Sequence, residues 1–169
     1  YIPRLPRKHA SDSIPYTFSE DEMSRIFLAC DNMRLKERHT KSALIAIPAL
    51  IRLMYSTAVR TSEALDIRVG NVDFGHHVIK LEYTKNGKER YAPVNSSLEA
   101  VLRQYMSYRD RLPYTDLRKP DSHLFVSSQG KAITRRLAHK YMMRILADAG
   151  IEHKGNEEGP HLHSLRHSA

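Results

Sequence analysis

Ser42-Ala43-Leu44-Ile45-Ala46-Ile47-Pro48-Ala49-Leu50-Ile51-Arg52-Leu53-Met54 runs directly into Tyr55-Ser56-Thr57-Ala58-Val59-Arg60-Thr61-Ser62-Glu63-Ala64-Leu65, and this stretch decides the architecture. Its first part is almost wholly apolar, so a helix built from it belongs at the centre of a bundle, with no face left for water. Pro48 lacks an N–H for the helical ladder and must either start a turn or kink the helix. The helix should end near Ser56, and a second, short one should begin at Thr61 or Ser62 with Leu65 and Ile67 facing inward. Arg60 then falls in the break between two apolar helices. A plain surface ion pair with Glu63 or Asp66 is the ordinary alternative, but a short helix-break-helix holds its arginine rigidly. A rigid guanidinium suits phosphate recognition by paired hydrogen bonds.

Working outward toward the N-terminus, Ser19-Glu20-Asp21-Glu22 has the pattern of a capping box, followed by an apolar stripe of Met23, Ile26, Phe27 and Cys30. A helix to about residue 30 is expected, with a polar loop or frayed turn over 31–41. Residues 1–17 contain Pro3, Pro6 and Pro15 among Arg4, Arg7 and Lys8 and read as an extended basic linker. The folded domain is expected over 18–169.

Toward the C-terminus, Val78–Tyr83 and Arg90–Val94 read as strands on either side of Asn86-Gly87, a strong hairpin signal, with an earlier short strand around Asn71 to Phe74. Asn95 caps a helix to about Asp110 with Leu98, Val101, Leu102 and Tyr105 inward. Residues 113–120 are expected as loop, Leu124-Phe125-Val126 as a short buried element, and Gln129-Gly130-Lys131 as a turn. Thr134 caps a last long helix through Ala149, stopped by Gly150, with Leu137, Tyr141, Ile145 and Leu146 as its apolar face. The fold class is therefore α+β but mainly α: a helical bundle with a small three-stranded antiparallel sheet on one edge.

The chain has 169 residues, enough for one domain with a real core. Lys and Arg number 27 against 19 acids, a formal charge of +8, and such an excess favours a polyanionic partner. The single cysteine, Cys30, rules out an internal disulfide and fits a reducing compartment. No apolar run approaches the roughly 18 residues that span a bilayer. A soluble, intracellular (cytoplasmic) protein is the expectation.

The terminal stretch Pro160-His161-Leu162-His163-Ser164-Leu165-Arg166-His167-Ser168 places histidines and an arginine on neighbouring turns of one short helix, a cluster suited to an anion. The segment 53–65, then Tyr83-Thr84-Lys85-Asn86-Gly87-Lys88-Glu89-Arg90, then His163-Ser164-Leu165-Arg166-His167, in that order and spacing, resembles the catalytic domain of the tyrosine recombinases, or phage-type integrases. The resemblance runs from about Phe18 to Ala169. It implies cutting and rejoining of double-stranded DNA by transesterification through a 3′-phosphotyrosine, without metal or other cofactor. Arg60 and Arg166 would meet the charge on the scissile phosphate, Lys85 would protonate the departing 5′ oxygen, and His163 would accept a proton or hydrogen-bond the phosphate. Glu63 would orient Arg60 or a neighbouring histidine. Lys88, Arg90, Arg135 and Arg136 are candidate DNA contacts.

Two features depart from the family pattern. None of the nine tyrosines follows Arg166, so none matches the family's nucleophile, and the glycine usual before the first arginine is replaced by Ala58. That replacement is minor if the backbone there has negative φ. The family's core-binding domain is also not seen ahead of residue 18. Residues 1–169 are accordingly expected to be inactive alone and monomeric, with an exposed apolar groove. The full-length protein would assemble as a tetrameric synapse on DNA. The rival from the binding class is a degenerate or truncated module that holds DNA without cutting it. A further rival uses His161, His163 and His167 as zinc ligands, but there is no His-Glu-x-x-His, no cysteine pair and no nearby carboxylate to complete such a site.

Overall fold

The computed structural model describes residues 14–36, 45–82, 84–152 and 159–169. Most of the expected linker, the polar stretch after residue 36 and Tyr83 lie outside these.

Helix α1 spans Glu20–Lys36. Its capping box forms as expected: Ser19 Oγ accepts the Glu22 N–H at 3.1 Å, and Glu22 accepts the Ser19 N–H at 2.9 Å. The helix runs beyond residue 30, correcting the expected loop, because Met33 extends the buried series Met23, Ile26, Cys30 at helical spacing. Helix α2, Ile47–Thr57, starts with Pro48 in its first turn, where a missing N–H has no consequence. Pro48 therefore begins this helix rather than kinking it. Ile47, Ala49, Leu50, Ile51, Leu53 and Met54 are all buried. Asp31 binds Arg52 through both carboxylate oxygens at 3.0 and 3.1 Å, joining α1 to α2.

Ala58 ends α2 with φ 55° and ψ 24°, donating its N–H to Met54 O at 3.0 Å. The backbone is left-handed here, so the substitution of alanine for glycine is not the minor change that a negative φ would have made it. Helix α3, Thr61–Asp66, follows, with Leu65 and Ile67 buried as expected.

Strands β1 (Val72–Asp73), β2 (Val78–Leu81) and β3 (Arg90–Pro93) form the antiparallel sheet in the order β1-β2-β3. Ile79, Leu81 and Ala92 face the core. Tyr91 lies on β3 and is 62% exposed, whereas Tyr105 is buried.

Helix α4, Ser96–Asp110, is capped by Asn95 Oδ1 on the Leu98 N–H at 2.8 Å. Near its end Arg109 is fully buried, which the sequence reading did not anticipate. Its guanidinium donates to the carbonyls of Leu117, His123 and Leu124 and to Ser122 Oγ. The expected loop over 113–120 thus winds round a buried cation and includes a short helical turn, Thr115–Arg118. Helix α5, Arg135–Asp148, is capped by Thr134 at 3.2 Å on the Leu137 N–H. Its deepest residues are Ala138, Met142, Ile145 and Leu146, while Leu137 and Tyr141 are only half-buried. Helix α6, Ser164–Ser168, packs on α2. It is tied to the start of the domain where Ser168 Oγ accepts the Phe18 N–H at 2.6 Å.

An open groove of about 410 Å³, lined by Phe27, Tyr55, Leu98, Val101 and Ala169 among others, lies beside the end of the chain. No helix among the described residues is long and apolar enough to cross a membrane.

Candidate active site

Arg60 stands in extended backbone, φ −70° and ψ 152°, immediately before α3. The Glu63 side chain beneath it is 1% exposed. Glu63 Oε2 accepts the Arg60 main-chain N–H at 2.9 Å, and Oε1 accepts Arg60 Nη1 at 3.3 Å. Glu63 thus holds Arg60 both at the backbone and at the tip. A third donor arrives from the sheet: Arg90 Nη2 reaches Glu63 Oε2 at 2.5 Å. Burial pushes the Glu63 carboxyl up, but the Arg60 N–H, the Arg90 hydrogen bond and charge, and the Arg60 guanidinium outweigh it. They hold the group below the usual carboxylate range, so it is ionised at neutral pH. The Arg60 side chain remains 36% exposed, and among the described residues Nη1 is its only hydrogen-bonded guanidinium nitrogen.

Lys85 and Lys88 lie exposed in the turn between β2 and β3, whose backbone closes through Gly87 at φ 67°. The turn is braced where Gly87 N–H donates to Thr84 O at 3.0 Å and Thr84 Oγ1 donates to Lys88 O. Among the described residues neither ammonium group has an ion-pair partner.

The second group of residues is built at α6. Buried Leu162, Ser164 and Leu165 anchor the turn and leave the side chains between them nearer the surface. His161 Nδ1 lies 2.7 Å from Gly159 O; a carbonyl only accepts, so Nδ1 carries a proton. The His161 and His163 rings stack at 6.2 Å between centroids, and His163 meets His167 edge-on at 5.0 Å. The His163 imidazole titrates below its ordinary range, first through burial and then through the positive charge of His167, Arg166, His161 and Arg135. Arg135, in the first turn of α5, is therefore close enough to act on this cluster, and sequence spacing alone offered no sign of that. The Arg166 guanidinium is half-buried and has no hydrogen bond or ion pair among the described residues. Arg136 is exposed beside Arg135. Among the described residues no group of three or more histidines, cysteines or carboxylates is placed to share a metal ion.

The helical bundle with its edge hairpin is the fold of a tyrosine recombinase catalytic domain. The XerA recombinase superposes with a TM-score of 0.70 at 21% identity, over 91% of this chain and 48% of that one. XerH bound to palindromic difH in a post-cleavage complex gives 0.70 at 23%, over 95% and 42%. The lambda integrase catalytic core gives 0.63 at 15%, over 89% and 78%. Residues 17–169 match the model of the phage integrase family, and the chain belongs to that family. A putative integrase/recombinase, y4rB, of Sinorhizobium fredii is 28% identical over 153 residues, covering 90% of this chain and 48% of that protein. Tyrosine recombinase XerD of Neisseria meningitidis is 30% identical over 156 residues, covering 92% and 48%. The chain spans about half the length of these relatives.

Proposed function

We propose that this domain serves site-specific breakage and rejoining of double-stranded DNA by transesterification. A tyrosine oxygen attacks the scissile phosphorus, the bond to the 5′ oxygen breaks, and a 3′-phosphotyrosine holds the strand until the reverse step releases it. Arg60 and Arg166 donate to the non-bridging oxygens, where charge grows in the transition state. Lys85 delivers a proton to the departing 5′ oxygen. His163, held neutral near neutral pH by burial and by its positive neighbours, accepts a proton. None of the nine tyrosines of residues 1–169 is assigned as the nucleophile.

The observation that carries this reading is the locked Arg60: a buried, ionised Glu63 orients it while leaving part of its guanidinium uncommitted. The excess of cations supports a DNA partner, with Lys88, Arg135 and Arg136 as phosphate contacts. Among the solved structures of this fold are the XerH complexes with difH and a lambda integrase tetramer bound to a Holliday junction. Assembly of several protomers on DNA is proposed for the full-length protein by that likeness.

The test is a suicide-substrate assay on the full open reading frame with a chelator present, read as a covalent protein–DNA adduct on a denaturing gel. An adduct lost on changing the responsible tyrosine to phenylalanine supports the recombinase reading. Tight DNA binding with no adduct on any substrate tried would put a binding module in its place.

A further inference from the structure

Arg90 has the sequence context of a DNA contact, and its place in the sheet also brings it to Glu63. In the β2–β3 ladder Ile79 pairs with Ala92, Lys80 with Tyr91 and Leu81 with Arg90. Residues directly opposed across an antiparallel pair share a face. Ile79, Leu81 and Ala92 are buried, so Arg90 leaves the strand on that same face, its side chain 42% exposed, while Tyr91 points to the opposite face. From there it meets Glu63.

We infer that Arg90 is a positioning residue: it neutralises the buried Glu63 carboxylate so that the Arg60 guanidinium stays available for a phosphate. This rests on Arg60 being the phosphate ligand proposed above. One carboxylate needs one counter-ion, and here two guanidinium groups share it, leaving a surplus positive charge. The division is unequal. Arg90 holds Oε2 at 2.5 Å, whereas the Arg60 tip touches Oε1 at only 3.3 Å. Without Arg90 the carboxylate would have Arg60 alone, and attraction to a carboxylate only 1% exposed would pull the Arg60 fork into a paired clamp on Glu63. A fork so engaged is withdrawn from DNA. Arg90 also stands at the base of the turn that carries Lys85, so the same carboxylate joins that turn to Arg60.

Two readouts test this with R90Q, E63Q and the double variant R90Q/E63Q. The first needs no catalysis: the rate at which phenylglyoxal modifies Arg60 in residues 1–169, followed by peptide mass spectrometry. In R90Q the rate should fall about threefold or more as Arg60 is drawn onto Glu63, and it should recover in R90Q/E63Q, where the attracting charge is gone. Simple loosening of the fold would raise the rate in both variants, and that result, or no change, overturns the inference. If R90Q does not fold, E63Q and R90Q/E63Q are compared. With the carboxylate charge removed, Arg90 has no route to Arg60, so unequal rates overturn it.

The second readout is single-turnover cleavage against DNA affinity in the full open reading frame. R90Q should cleave about 10- to 100-fold more slowly at saturating DNA with Kd changed by about twofold or less. Weakened binding with cleavage intact would return Arg90 to the DNA contacts and overturn the inference. If the unmodified protein cleaves no DNA while Arg60 modification follows the expected pattern, the recombinase reading fails and the positioning of Arg60 by Arg90 stands.

Discussion

The two arginine-bearing groups are held by opposite means. Around Arg60 one buried carboxylate collects a main-chain N–H and two guanidinium groups, so orientation is achieved by ionic hydrogen bonds. Around Arg166 the described residues supply no carboxylate: His161 stacks on His163, His167 meets His163 edge-on, and the turn is fixed by buried Leu162, Ser164 and Leu165. The first group carries its own carboxylate and is preorganised with one positive charge to spare, whereas the second sets Arg166 and Arg135 beside the imidazoles with no carboxylate among the described residues, so that an anion bound there would supply the counter-ion. The difference teaches that two guanidinium groups of one domain can be prepared in opposite ways, the first oriented in advance by its own carboxylate and the second left with positive charge for an anion to meet.

The largest effect that can break this comparison is removal of either guanidinium. Arg60→Ala and Arg166→Ala in the full-length protein should each lower the cleavage rate by about a thousandfold or more, since single transition-state donors are worth on the order of 10²–10³ and these are charged. DNA affinity should fall only modestly, because on the proposed reading other cations, Lys88, Arg135 and Arg136 among them, would still hold the backbone. Cleavage kinetics beside a binding isotherm decide it, and normal cleavage by either variant sinks the proposed clamp.

Next in size is Glu63→Gln, which should act on the Arg60 group alone. Breaking a fully buried ion pair costs about 3–5 kcal/mol, but both arginines here are partly exposed, so a loss of about 1–3 kcal/mol is expected in urea unfolding. The folded carboxyl titrates below its unfolded counterpart. Its contribution is therefore fully present above the unfolded pKa near about 4.3 and is lost as pH falls through the lower folded value. The variant should show a flatter acid limb than the parent protein. Equal acid limbs would mean that Glu63 is not the ionised hub described.

Ala58→Gly comes third. Alanine in left-handed backbone costs roughly 1–2 kcal/mol, offset in part by the greater chain entropy of glycine. A net gain of about 1 kcal/mol is expected, raising Tm by about 2–4 °C for a domain of this size. A lowered Tm would show that the left-handed turn before Arg60 is relaxed as it stands.

How far each group can be read from sequence follows from the range of its determinants. The Ser19–Glu22 box, the Asn86-Gly87 hairpin and the Asn95 and Thr134 caps are written within a few residues, and they form as expected. Glu63 was legible for the same reason, lying three residues from Arg60. Arg90 was not, because its partner is 27 residues away and only strand register shows which face it takes. In hindsight the alternation Arg90-in, Tyr91-out, Ala92-in was the available signal. Arg109 gave no signal at all: its partners are three carbonyls of residues 117–124, which any sequence can supply, together with the Ser122 hydroxyl, and only their tertiary placement makes the site. The left-handed Ala58 was hidden because alanine does not advertise a positive φ as glycine does.

The smallest expected effect probes the uncompensated group. His163 titrates lower in the folded protein than in the unfolded chain, so near and below pH 6.5 the unfolded chain binds more protons. Stability should therefore rise with pH across the interval between the folded and unfolded values and level off above about 6.5. This is the opposite sign from a histidine that gains a carboxylate partner. His163→Gln should remove that slope while leaving the acid limb due to Glu63 in place, since the two residues belong to separate groups. Phosphate or a short DNA duplex supplies the missing negative charge, so it should move the His163 titration, followed by NMR of the imidazole, toward higher pH. An unchanged titration in saturating DNA would show that the anion does not sit at this cluster, and the contrast with the carboxylate-locked Arg60 would lose its functional meaning.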